Sequence, residues 1–195
     1  MEEEYKLKCF WDTRLDDIPH EGYSAQIEEQ KNDLIEECKK INGTNIMEIG
    51  FNLGHSSEIF LKNFPAFSVT SFELGNQFTT TAKFYLDKFY KDANHMLILG
   101  DSKKEIIKFS KNFPSAKFDL IFIDGDHRYN TALEDLENCK SISHAETVII
   151  FDDVYDDECD PGRAWKKMIN DGKIIETSRK VYNKDRGQVI GKYVL

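Results

Sequence analysis

From residue 24 onward, short apolar runs alternate with stretches whose apolar positions recur every three or four residues. This alternation restricts the fold more than any other feature. Strands separated by helical segments must be joined by crossovers, which gives a parallel sheet covered on both faces. Ser24 is placed to cap a helix over "AQIEEQKNDLIEECKKI", with Ile27, Leu34, Ile35, Cys38 and Ile41 on one face and "NGT" ending it. Strands are predicted at "NIMEIG", "FSVTSFE", "HMLILG", "FDLIFID" and "ETVIIFD", and helices at "SSEIFLKNF", "FTTTAKFYLDKFYKDA", "SKKEIIKFSKNF", "TALEDLENCKSI" and, after Pro161, "GRAWKKMIND". The near-continuous apolar run "FDLIFID" suits a central strand buried on both faces. The chain closes on "KIIETSRKVY" and "GQVIGKYVL", a hairpin across "NKDRG". An antiparallel pair at the end is not the order of a dinucleotide dehydrogenase, which keeps adding parallel strands. The expected fold class is α/β, doubly wound and Rossmann-like. A chain of 195 residues reads as a single domain, with 1–23 as an N-terminal extension or lid and 24–195 as the core.

Composition excludes several classes of function. A formal net charge of -9 disfavours a chain that grips nucleic-acid phosphates, since that binding rests on clustered cations. The locally basic "KIIETSRKVYNKDRGQ" reads as a solvated strand and turn. No apolar run approaches the roughly 20 residues of a membrane span. The N-terminus is acidic where a secretory signal needs a basic region, so a cytoplasmic location is expected. Cys9, Cys38, Cys139 and Cys159 form no C-x-x-C pair and read as reduced thiols.

In doubly wound sheets ligands bind at the carboxyl ends of the strands, and polar residues collect there. After the first strand, "EIGFNLGHSS" offers Gly50 for a tight turn, with Gly54, Ser56 and Ser57 opening the next helix at its positive end. It is a candidate cofactor loop, with a plain strand-to-helix turn as the alternative. Asn52 stands where the second glycine of G-x-G-x-x-G belongs, a poor cradle for a pyrophosphate. Glu73, 23 residues after Gly50, is spaced to accept from ribose hydroxyls. Asp101 ends the third strand, to accept from an adenine amino group or simply to cap a helix. Asp124, Asp126 and His127 follow the fourth strand; Asp152 and Asp153 follow the fifth. If those strands are neighbours, Asp124, Asp152 and Asp153 converge, and their repulsion calls for a cation or raised pKa values. Oxygen ligands of this kind suit Mg²⁺ or Mn²⁺.

These residues resemble the class I S-adenosylmethionine-dependent methyltransferases, and among them the small cation-dependent O-methyltransferases. The likeness spans roughly residues 21–195 and is carried by "EIGFNLGHSS", "SFELG", "LILGDS", "FDLIFIDGDHRY" and "VIIFDDV". It implies a seven-stranded sheet in the order 3-2-1-4-5-7-6. It further implies that Glu48, Gly50, Asn52 and Ser56 hold the methionine end of the cofactor, that Glu73 binds the ribose, that Asp101 and Ser102 lie by the adenine, and that Asp124 adjoins the donor. Asp124, Asp152 and Asp153 are the implied ligands of Mg²⁺ or another divalent ion. Asp at position 153, where catechol-type relatives have Asn, is shared with relatives that methylate sugar hydroxyls.

The expected reaction is attack of a small-molecule hydroxyl (sugar, polyol or phenol) on the sulfonium methyl, with Asp126 or His127 as general base. Histidine's ordinary titration near neutrality suits that role. Phe10, Trp11 and Tyr23 are candidate lid aromatics or core residues, and Tyr155, Asp156, Asp157 and Trp165 candidate lining of the acceptor pocket. No nucleic-acid or membrane partner is expected, and a homo-oligomer stays open. The alternatives are a methyltransferase acting on nucleic acid or protein, and a non-catalytic module that binds the cofactor or a metal.

Overall fold

Five apolar runs, each too short and too rich in β-branched or aromatic residues to favour a helix, pair side by side in the computed structural model, which describes residues 5–13 and 27–195. They are β1 (Asn45–Ile49), β2 (Ser68–Glu73), β3 (Asn94–Leu99), β4 (Phe118–Ile123) and β5 (Ser143–Asp152). All four pairings among them are parallel. The closing hairpin, β6 (Ile174–Asn183) and β7 (Arg186–Tyr193), is antiparallel, and β7 also pairs antiparallel with β5. The seven-stranded sheet runs β3-β2-β1-β4-β5-β7-β6. That is the expected α/β order, with its switch point between β1 and β4.

The helices are α1 (Lys6–Asp12), α2 (Glu28–Lys40), α3 (His55–Asn63), α4 (Thr79–Phe89), α5 (Ser102–Asn112), α6 (Tyr129–Cys139) and α7 (Asp160–Asn170). Alternation along each strand sends Ile46, Val69, Leu120, Phe122 and Ile150 to one face, against Leu7, Trp11, Leu34, Phe60 and Leu86 of α1–α4. Met47, Phe72, Ile121, Ile123 and Phe151 go to the other, against Ile106, Phe109, Leu136, Trp165 and Met168 of α5–α7. The result is a three-layer sandwich.

Three elements depart from expectation. β5 begins at Ser143, before the expected "ETVIIFD", and α7 takes Pro161 into its first turn, where the missing N–H costs nothing. α1 is too short to announce itself by periodicity. It is fixed from outside: the Glu58 carboxylate of α3 accepts from the backbone N–H of Leu7 and Lys8 at 2.5 and 2.9 Å, a cap lent by another helix. Trp11 is a core residue whose Nε1–H donates to the Leu53 carbonyl at 3.1 Å, and Phe10 lies against Tyr85. Ser24 and Tyr23 fall outside the described residues. The basic C-terminal stretch is largely neutralised: Arg179 pairs with Glu176 and Asp157, and Lys180 with Asp33. No described helix is long and apolar enough to cross a membrane.

Candidate active site

Parallel strands all end on the same side, so the loops after β3, β2, β1, β4 and β5 meet along one edge. They line a cavity of about 690 Å³. At its centre β1 and β4 part. Gly50 has φ +95°, and a Cβ there would fall 1.9 Å from the Asp124 carbonyl oxygen, so only glycine lets the two strand ends touch. Gly50 N–H donates to the Phe72 carbonyl and Asp124 N–H to that of Ile49, each at 2.9 Å.

On the β2–β3 side the polar groups are held by backbone. Glu73 accepts from Asn52 N–H at 2.7 Å and from Gly75 N–H at 2.8 Å. Asn52 itself sits at φ +44°, a conformation asparagine tolerates better than most residues. Asp101 caps α5 by accepting from Lys103 N–H at 3.1 Å. Ser102 donates to Asp135 at 2.7 Å, and burial pushes the Asp135 carboxyl up to about 7.

Gly50, Asn52, Ser56, Glu73, Asp101, Ser102 and Asp124 all line the cavity; Glu48 does not. Strand alternation places Glu48 on the Ile46 face, fully buried behind the loop. There it accepts from Ser57 and Ser71 at 2.6 and 2.5 Å and from Ser56. Its carboxylate is therefore engaged by the three serines rather than facing the cavity, and burial raises its pKa.

On the β4–β5 side charge is less well compensated. Oxygens of Asp124 and Asp153 and a ring nitrogen of His127 lie within 4.8 Å of one another. Asp153 adopts φ +56°, a left-handed conformation that aspartate, like asparagine, enters more readily than most residues. Its Oδ2 lies 2.8 Å from His127 Nδ1; its buried Oδ1 accepts no hydrogen bond, with Arg186 at 3.5 Å. Removal from water, then Asp152 and Asp153, hold the Asp124 carboxyl well above the ordinary carboxylate range. Two carboxylates with an orphaned buried oxygen fit a hard divalent cation.

Of the three expected ion ligands, Asp152 stands apart from this group. Asp152 continues β5 onto the Ile150 face, under α2, where both its oxygens accept from Gln30 Nε2 at 2.8 Å. Burial, then Asp153, raises its carboxyl to about 7. His127 stands in the group instead. The two candidate bases also differ. Asp126 is bound at 2.8 and 3.0 Å by Arg128 Nε and at 3.0 Å by Arg128 N–H, which holds its carboxyl down at about 2, a poor proton acceptor. Tyr155, Asp156, Asp157 and Trp165 do not line the cavity; Trp165 is buried in the core and its Nε1–H donates to Glu176 at 2.7 Å.

His55, Asn76, Asp185, Arg186 and Gln30 escaped the sequence reading. Gln30 had a signal: it lies four residues before Leu34, on the buried face of α2. Arg186 had one only through the sheet order, which sets the start of β7 beside the end of β5.

Among known proteins, the family described as "Methyltransferase domain" matches residues 47–154, more than half of the chain and the carboxyl ends of all five parallel strands. The chain belongs to this family. Solved O-methyltransferases share the methyltransferase's fold. One from Bacillus cereus, in complex with SAH, is 18% identical with a TM-score of 0.78, covering 98% of this chain and 91% of that one. TomG from Streptomyces achromogenes, involved in tomaymycin synthesis and solved with SAM, is 19% identical with a TM-score of 0.76, covering 99% and 91%. CalS11, a TDP-rhamnose 3'-O-methyltransferase of calicheamicin biosynthesis, is 14% identical with a TM-score of 0.65, covering 97% and 94%. No curated protein matches the sequence.

Proposed function

We propose that this methyltransferase moves the methyl of S-adenosylmethionine to a hydroxyl of a small molecule, with a divalent cation held by Asp124 and Asp153. The observation that carries the reading is the order of residues along one cavity: Asp101, Glu73 and Gly50, then Asp124, His127 and Asp153. The donor half matches the cofactor. Glu73 retains lone pairs for ribose hydroxyls after accepting its two backbone N–H groups. The glycine turn lets a ligand approach the backbone, and the acidic wall suits a sulfonium rather than a pyrophosphate. The names of the solved neighbours, which include O-methyltransferases found with SAM or SAH, support the same donor and reaction.

The ion half supplies the chemistry of the acceptor. A divalent ion bound there lowers the pKa of a hydroxyl beside it and offsets the charge that develops on oxygen. Asp124 and Asp153 hold that ion and, through it, the acceptor's orientation. His127 takes the proton: its Nδ1 faces Asp153 at 2.8 Å, which fixes the ring and assigns Nε2 as the accepting atom. Asp152, pinned by Gln30, adds a fixed carboxyl behind the ligands. A cytoplasmic location and a small-molecule acceptor complete the reading.

Incubation with labelled S-adenosylmethionine and a panel of phenols, polyols and sugars, with Mn²⁺ or with EDTA, tests it. Methyl transfer to an oxygen, abolished by EDTA and restored by Mn²⁺, is expected; transfer that EDTA leaves intact removes the cation from the mechanism. Binding of S-adenosylmethionine without transfer to any hydroxyl would favour the non-catalytic module.

A further inference from the structure

We propose that the acceptor carries an anionic group, a carboxylate or a phosphate, near its reacting hydroxyl, and that Arg186 receives it. The proposal rests on the ion site described above and extends it to the class of substrate.

Three cationic side chains other than histidine line the cavity: Lys103, Arg128 and Arg186. Lys103 lies on the donor side with Glu134 at 3.6 Å. Arg128 is spent on Asp126, and its side chain is 82% exposed. Arg186 differs from both. Its side chain is only 23% exposed, its one ion pair is to Asp153 at 3.5 Å, and its guanidinium makes no hydrogen bond among the described residues. A guanidinium carries five N–H donors in a planar fork, and those of Arg186 face the cavity without a protein acceptor among the described residues. Donors in that state on a cavity wall are arranged for a ligand, and the fork matches the paired oxygens of a carboxylate or phosphate.

The backbone holds Arg186 in place. Gly187 packs so closely on the segment after β5 that a Cβ there would lie 2.4 Å from the Val154 carbonyl oxygen. Val154 N–H donates to the Gly187 carbonyl at 3.0 Å, and Asp185 N–H to Asn183 Oδ1 at 2.9 Å. The hairpin end is thus fastened to the turn that carries Asp153, and the guanidinium is set beside the ion ligands. A cation shared by Asp124 and Asp153 competes for the one carboxylate that Arg186 faces, and so releases its donors. The sulfonium and the ion add positive charge that counters the acidic wall, which otherwise repels an anion.

The test uses the full chain preloaded with SAH and Mn²⁺ and follows acceptor binding by calorimetry. Two matched pairs serve as probes: catechol against 3,4-dihydroxybenzoate, and a hexose against its phosphate, which separates a preference for carboxylate from one for phosphate. In at least one pair the anionic member is expected to bind about tenfold tighter or more, the scale of a charge-assisted hydrogen bond. Arg186→Gln should erase that ratio, and Arg186→Lys should keep part of it. Lys184→Gln, on the exposed turn outside the cavity, should leave it intact. Equal affinities in both pairs, no binding of either anionic probe, or an undiminished ratio in Arg186→Gln overturns the proposal. Failure of the underlying reading appears earlier in the same samples, as a protein that takes up no SAH or no Mn²⁺ before any acceptor is added, and removes both.

Discussion

The two halves of the cavity are built on opposite principles. On the donor side the acids are already satisfied: Glu73 accepts two backbone N–H groups and Asp101 caps its own helix. On the ion side Asp153 buries an oxygen with no hydrogen bond, and Asp124 is pushed up by burial and by its acidic neighbours. The first half is preorganised by the fold and stands without a ligand. In the second, the neighbouring carboxyls make one another costlier to ionise, which Arg186 offsets in part.

The contrast can be broken most severely at its hinge. Gly50→Val places side-chain atoms on the Asp124 carbonyl and forces a β-branched residue to φ +95°, so urea unfolding should show a loss of about 3 kcal/mol or more. A stability close to wild type would mean that β1 and β4 do not meet as described.

A milder change separates the two candidate bases. His127→Gln should lower kcat roughly a hundredfold while Mn²⁺ affinity persists, whereas Asp126→Asn, at a group already held at about 2 by Arg128, should change kcat little. Loss of Mn²⁺ affinity in His127→Gln would make the ring a ligand and move the base elsewhere.

The smallest effect concerns pH. Asp152 on the ion side and Asp135 on the donor side have folded-state values raised to about 7, above the unfolded carboxylate value near 4. Between those values the folded state holds protons that the unfolded chain has released. Stability of the chelated protein should therefore fall as pH rises from about 4 through about 7. Asp152→Asn and Asp135→Asn should each remove a part of the slope, with the buried carboxyls of Asp124, Glu48 and Glu58, raised in the same sense, carrying the rest. Added Mn²⁺ should flatten the ion-side part, since a cation favours ionised carboxylates. A chelated protein whose stability climbs across that window contradicts the assignment.

The halves also differ in how far the sequence revealed them. The strands themselves, the Gly50 turn, Glu73 and Asp101 follow from local pattern, an apolar run and then a turn residue or an acid at its end, whereas the order of the strands in the sheet came from the family resemblance. Asp124 and Asp153 followed from the same rule. What escaped depends on long-range packing. That Asp152 turns away from the cavity is set by which face of β5 the last residue takes and by a glutamine 122 positions away. The role of Glu48 turned on alternation within β1, which the motif obscured. Arg186 belongs to a turn that looks like any polar hairpin until β7 is laid against β5. Helix α1 is stabilised by Glu58 on another helix, and no local signal carries that.

Mn²⁺ binding followed by electron paramagnetic resonance, in wild type and in Asp153→Ala, tests the central claim most directly. Wild type saturated with SAH should convert free Mn²⁺ to a bound species at one site per chain, and Asp153→Ala should lose that species while still binding SAH. Equal Mn²⁺ binding by the two proteins, or none by wild type, would contradict an ion held between the ends of β4 and β5.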